Sequence, residues 1–261
     1  MTSKRLHFNV ITLMPEMFEA LDFGLIGKAF RDGKVSKTLI NPRDFTLDNH
    51  KTVDDRPYGG GPGMVMMLEP LVKAIEFSKS DSSSKKRKVI HLTPRGNLLN
   101  HKKIIELLSC EELTIVSSRY EGVDERLNHW IDEEISVGDY VTSGGDFPAM
   151  VLIDCMVRQL PGVLNDEESI NQDSFVNGLL DHPSYTRPEH FHEQSVPDIL
   201  KSGDHEKIRL WRLKESLRLT WTKRPDLLAE RLLTKEESRL LDEIQHEQEQ
   251  DPHNVCSEVV N

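Results

Sequence analysis

At 261 residues, with 37% hydrophobic and 30% charged content, the chain has the length and composition of a globular protein with a sizeable core, not of a disordered or fibrous one. Its formal net charge of −11 excludes a protein that coats nucleic acid nonspecifically, because that class needs broad positive charge along the phosphate track. No run approaches the ~20 consecutive apolar residues of a membrane span, no signal core precedes the first strand-like run, and Cys110, Cys155 and Cys256, without a CxxC spacing, suit a reducing cytoplasm.

Residues 6–13, 38–41, 88–92 and 113–117 read as strands, and 15–23, 69–78 and 101–108 as helices. That alternation predicts an α/β fold with a mostly parallel sheet. Residues 78–88 (SKSDSSSKKRK) form a polar surface loop. A helix over 147–160 is apolar almost all round, interrupted only by Asp154, Arg158 and Gln159, so it lies between two packed layers or at a subunit interface. Pro161 and Gly162 stop it. Residues 165–177 are polar and acidic, the composition of a flexible linker. Beyond it, Leu210, Leu213, Leu217 and Trp221 fall on one stripe of a helix over 204–221 that Asp204 can cap. A second helix, 234–248, opens with a Thr-Lys-Glu-Glu capping box. The expected organisation is a catalytic domain over 1–164, a linker over 165–180, a small helical domain over 181–250 and a frayed tail over 251–261.

Several segments carry groups suited to chemistry. The run Tyr58-Gly59-Gly60-Gly61-Pro62-Gly63 is a tight loop, but Met64 follows where a P-loop needs Lys, and no GxGxxG opens a helix. The strand at 113–117 runs into Ser118-Arg119-Tyr120-Glu121-Gly122, and a helix-like acidic segment follows, up to Ser136. Ligands of open α/β sheets lie beyond the carboxyl ends of such strands. Gly138, Gly144 and Gly145 allow close backbone approach, and Tyr120 and Tyr140 offer apolar faces. From Glu121 to Phe147 eight carboxylates face one basic residue, hostile to phosphate and tolerant of a cationic sulfonium; a solvated acidic surface fits the same composition. Asp154 and Arg158, four apart, are spaced for an ion pair. By composition alone Asp173 is a solvated linker aspartate. The segment from His182 to Pro188 (HPSYTRP) can stack on bases through Tyr185 and grip phosphate through Arg187, or strap domains together. His190, His192 and His205 lack any ligand spacing. Residues 201–224 hold eight Lys or Arg against three Asp or Glu, including a row of Lys207, Lys214 and Arg218.

The blocks PEMF, NPRDFT, HKTVDDRPYGGGPGMVM, RYEGVDER, IDEEISVGDYVTSGGD, LIDCMVRQLPGVL, GLLDHPSYTRPE and WRLKESL, in this order, resemble the bacterial tRNA (guanine-N1)-methyltransferase family over residues 6 to about 245. The resemblance implies the SPOUT fold, an α/β domain with a parallel sheet and a deep trefoil knot, plus a small helical C-terminal domain. It implies an obligate homodimer that transfers a methyl group from S-adenosylmethionine to N1 of the guanosine at tRNA position 37 when a guanosine precedes it. It also implies assistance by Mg²⁺, for which the sequence shows no ligand cluster.

Carried over by position, the donor pocket comprises Leu92, Thr93, Pro94, Ser118, Tyr120, Glu121, Ser136, Val137, Gly138, Tyr140, Thr142, Gly144, Gly145 and Pro148. Asp173 matches the general base and Arg158 the catalytic arginine, while Arg187, Lys207, Lys214 and Arg218 are the candidate RNA contacts. N1 of guanine carries a proton that must leave as methyl arrives, so a carboxylate in reach is chemically required. The chain departs from the family pattern at Ser118, where glycine is usual, Thr142 (leucine), Arg95 (glutamine) and His91 (an aromatic). Two rivals remain at this stage: a knotted enzyme that methylates a ribose hydroxyl, and a non-catalytic RNA-binding module.

Overall fold

The computed structural model describes residues 6–80, 84, 86–164, 172–229 and 231–250. By its contacts the chain divides into two compact units, Met1–Asp166 and Glu167–Asn261.

In the first unit, β1 (Leu6–Ile11), a 3-10 turn (Pro15–Asp22), α1 (Gly24–Arg31) and β2 (Val35–Ile40) are followed by the short strands β3 (Asp54–Asp55) and β4 (Val65–Met66). Then come α2 (Leu68–Ser80), β5 (Arg87–Leu98), α3 (His101–Leu107), β6 (Glu112–Ser117), β7 (Glu133–Ser136) and α4 (Asp146–Val157). The main sheet has the order β2-β1-β6-β5-β7, with every pair parallel. Helices cover both faces. Leu113 and Ile115 of β6 point into a core with α1, α3 and α4, whereas Val116 points into a second core with Leu71, Ala74 and Ile75 of α2. A strand buried on both faces reads as a continuous apolar run rather than an alternating one. All six residues of β6 are buried accordingly.

The expected helix over 15–23 is instead a 3-10 segment over 15–22; Phe23 separates it from α1, which starts at Gly24 (φ +60°) and which the sequence reading did not contain. The loop expected over 78–88 is shortened, since α2 runs to Ser80 and β5 starts at Arg87; residues 81–83 and 85 lie outside the described residues. The acidic segment expected to be helix-like splits into a 3-10 turn (Glu125–Trp130) and β7.

The second unit contains the hairpin β8 (His190–Phe191) and β9 (Gln194–Ser195), then α5 (His205–Lys223), α6 (Pro225–Ala229) and α7 (Lys235–Gln250). Asp204 caps α5 by accepting from the Lys207 amide at 3.1 Å. The capping box at the start of α7 is reciprocal: the Thr234 amide donates to Glu237 at 2.8 Å, and the Glu237 amide donates to Thr234 Oγ1 at 3.2 Å. Leu179, Leu217, Leu240 and Ile244 form the core, with Leu213 and Trp221 against it. Residues 165–171 and 251–261, part of the expected linker and all of the expected tail, lie outside the described residues. Among the described residues no helix is long and apolar enough to cross a membrane.

Candidate functional site

The carboxyl ends of β5, β6 and β7 converge on one cavity. After Leu92 the register of β5 shifts: Leu92 pairs with Ile135 of β7, and so does Asn97, leaving Thr93 to Gly96 as a bulge. Gly96 lets that bulge press on β7, because a Cβ there would stand 2.3 Å from the Ile135 amide nitrogen. Thr93 and Pro94 thereby reach the cavity wall. The segment after β6 contributes Ser118, Tyr120 and Glu121, and the end of β7 with the segment after it contributes Ser136 through Gly138, then Tyr140, Thr142, Gly144 and Gly145. Leu92 and Pro148 complete the fourteen expected pocket positions, and the structure brings all of them around this one cavity. Gly122, Ile135 and Val141 line it as well.

The walls are held by their own backbone. Ser136 Oγ donates to the Gly138 carbonyl at 3.0 Å and accepts from the Gly138 amide at 3.2 Å, while Thr142 Oγ1 donates to the Gly144 carbonyl at 2.8 Å. Gly138 has no room for a side chain, since a Cβ would fall 2.2 Å from the Tyr140 ring. Tyr120 holds φ +60°, a left-handed conformation that costs a non-glycine residue about 1–3 kcal/mol and is typical of functional sites. The glycine-rich loop belongs here too: the Glu121 amide donates to the Met64 carbonyl at 2.9 Å, and a Cβ on Gly63 would strike the Glu121 side chain.

The expected acidic character is mostly directed elsewhere. Of the eight carboxylates between Glu121 and Asp146, only Glu121 lines the cavity. Glu133 pairs with Lys88 and Lys103 at 3.2 and 2.6 Å, and Glu125 and Glu134 pair with Arg95 at 2.9 and 3.3 Å. Lys88 is raised above its ordinary value, first by its hydrogen bond to Glu106.

Sequence reasoning missed the residue beneath the site. Asp146, 1% exposed at the start of α4, accepts from Thr12 Oγ1 at 2.7 Å and from Ser117 Oγ at 2.6 Å, and pairs with Arg119 at 2.9 Å. It ties β1, β6 and α4 together directly under Gly145, whose amide donates to the Ser118 carbonyl at 2.8 Å.

The sequence profile described as tRNA (Guanine-1)-methyltransferase TrmD matches residues 6–230. The chain belongs to the TrmD family. It is 56% identical over 252 residues to the tRNA (guanine-N(1)-)-methyltransferase of Methylobacillus flagellatus, covering 95% of each chain. Proteins of the same description from Pseudoalteromonas atlantica and Coxiella burnetii are each 53% identical, covering 92% of this chain and 91% and 97% of theirs.

The remaining expected TrmD-family positions are spread over both units. Arg158 closes the C-terminus of α4 in the first unit, its amide donating to the Asp154 carbonyl at 3.1 Å. Asp173 lies in the second unit and lines a cavity of about 580 Å³ together with Arg209, Arg212 and Arg231. Arg187 is exposed, and nearby Tyr185 leans on Trp211 of α5, the ring centroids 6.3 Å apart. The basic row of α5 divides. Lys207 is 69% exposed, but Lys214 turns to Glu243 and Glu247 of α7 at 3.0 and 2.7 Å, and Arg218 to Glu247 at 2.7 Å. Those two cations already join α5 to α7. Among the described residues no group of three or more His, Cys, Asp or Glu side chains is placed to hold a metal ion.

Proposed function

We propose that the protein transfers a methyl group from S-adenosylmethionine to N1 of the guanosine at position 37 of tRNA, in the cytoplasm. The observation that carries this reading is the cavity at the strand ends, where all fourteen positions named by the family resemblance converge. Its glycines suit a nucleoside: Gly138 and Gly145 have no space for side chains, so backbone donors and acceptors form the walls. Bound there, S-adenosylmethionine supplies an electrophilic methyl group on a cationic sulfur.

The protein's part is to remove the proton and hold the developing charge. In this reading Asp173 takes the proton from N1 as the N–CH3 bond forms and the S–CH3 bond breaks. Arg158 stabilises negative charge growing on the guanine carbonyl oxygen and orients Asp173. The reading includes a trefoil-knotted first domain, a linker over 165–180 and a homodimer. Support for the dimer comes from α4, where Phe147 and Val151, one turn apart, are 54% and 49% exposed although the rest of the helix is largely core.

The deciding experiment is methylation of two tRNA transcripts that differ only in guanosine or adenosine at position 37, with the product nucleoside identified by mass spectrometry. N1-methylguanosine from the first and nothing from the second is expected; a ribose-methylated product would overturn the reading. No product from either transcript, together with no S-adenosylmethionine or S-adenosylhomocysteine binding to the folded protein in calorimetry, would favour the RNA-binding module.

Arg187 and Lys207 are assigned to tRNA contact. Reversing both to Glu is expected to weaken tRNA binding about tenfold and leave S-adenosylhomocysteine affinity unchanged, by filter binding and calorimetry. Lys214 and Arg218 reach RNA only by leaving Glu243 and Glu247. Lys214→Glu is therefore expected to cost less RNA affinity than Lys207→Glu and more thermal stability. Equal losses of RNA affinity would contradict that division.

A further inference from the structure

A chain of polar side chains runs from the surface to the back wall of the cavity. Arg95, 55% exposed, pairs with Glu125 at 2.9 Å and with Glu134 at 3.3 Å. Glu134 Oε1 lies 3.3 Å from His91 Nδ1, and His91 Nε2 lies 3.2 Å from Ser118 Oγ. Ser118 lines the cavity; His91, 2% exposed within β5, lies behind it.

Donor and acceptor rules fix every hydrogen in this chain. Glu134, paired with Arg95, is a carboxylate that can only accept, so the proton on the His91 ring sits on Nδ1 and donates to it. Burial pushes the imidazole below its ordinary value, against the opposing pull of Glu134, so the ring is neutral and Nε2 is bare. A bare nitrogen can only accept. The Ser118 hydroxyl therefore gives its one hydrogen to His91, and only oxygen lone pairs remain for the cavity.

We infer that the Glu134–His91–Ser118 chain locks Ser118 as a hydrogen-bond acceptor toward the cavity, making it a specificity residue for ligands that place an N–H or O–H donor against it. The inference rests on the nucleoside-donor reading of the pocket. An isolated serine rotates and serves donors and acceptors alike, whereas a locked one leaves a ligand acceptor facing lone pairs, an unpaired polar contact that discriminates strongly. Adenosine offers three groups that meet the demand: the exocyclic amine and the two ribose hydroxyls. His91 acts through Ser118 and is a positioning residue.

Two measurements test this. In a long-range proton–nitrogen correlation spectrum, the His91 signals, assigned by their loss in His91→Phe, are expected to show the Nδ1–H tautomer. The Nε2–H tautomer would overturn the inference. In calorimetry, S-adenosylhomocysteine is compared with analogues dimethylated at the amine or lacking the 2′- or the 3′-hydroxyl. One analogue is expected to bind the native protein about tenfold more weakly, and that penalty to fall below about twofold in Ser118→Ala. His91→Phe, which keeps the hydroxyl but removes the lock, is expected to shrink the same penalty. Penalties identical in the native protein and Ser118→Ala would also overturn the inference. Should S-adenosylhomocysteine not bind the native protein at all, the donor reading of the pocket fails, and the tautomer alone decides the state of the chain.

Discussion

Asp173→Ala is expected to slow methyl transfer by about 10²–10⁴-fold, the range for removing a general base, while S-adenosylhomocysteine still binds as it does to the native protein. Single-turnover assays with the guanosine-37 transcript, read beside donor calorimetry, separate the two quantities. Asp173→Glu keeps a carboxylate on a longer arm and is expected to retain partial activity. Near-normal transfer by Asp173→Ala with donor binding intact would remove Asp173 from the mechanism. Because Asp173 also lines the cavity of the second unit, a melting curve for each variant keeps lost folding distinct from lost chemistry.

Asp146→Ala is expected to give the largest loss of stability. Its carboxylate is buried, accepts from two hydroxyls that are themselves fully buried, Thr12 and Ser117, and balances the Arg119 guanidinium. Removing Asp146 leaves two buried hydroxyls without their acceptor and the partly exposed Arg119 without its counter-charge, which costs about 3 kcal/mol and lowers the melting temperature by on the order of 10 °C in a unit this size. Asp146→Asn keeps an oxygen for Thr12 and Ser117 but forfeits the charge, so it should fall between. Scanning calorimetry of the three proteins checks the order. An Ala variant within about 1 kcal/mol of the native protein would mean that the network is not what fixes α4 beneath Gly145.

What could be read from the residues alone divides by the reach of the forces involved. β1, β5 and β6 were legible because a sheet covered on both faces needs uninterrupted apolar runs, and the capping box at Thr234 and Glu237 was legible because both partners sit within one turn. β7 was not. Its Glu133 and Glu134 look like solvated helix surface until Lys88, Lys103 and Arg95, distant in sequence, supply their partners. Asp146 was hidden likewise, since an acidic residue before an apolar helix reads as an ordinary cap, and Thr12 and Ser117 meet it only in the folded sheet. The pocket positions came from family resemblance; spacing and charge alone led only to a glycine-rich acidic region. Lys214 and Arg218 looked like a basic face because nothing near them in sequence discloses Glu243 and Glu247.

The strand order β2-β1-β6-β5-β7 bears on how the chain comes off the ribosome. β1 can pair with β2 early, but its other edge waits for β6, with His7 opposite Glu112 and Ile11 opposite Val116. Until Ser117 has emerged, the sheet lacks its central strand, and Phe8 and Val10 cannot complete the core they share with Leu113 and Ile115. Nascent chains stalled before that point carry a bare parallel edge beside apolar side chains. Such edges pair readily with other chains, so chains that end before Ser117 are expected to aggregate more readily than the full-length protein.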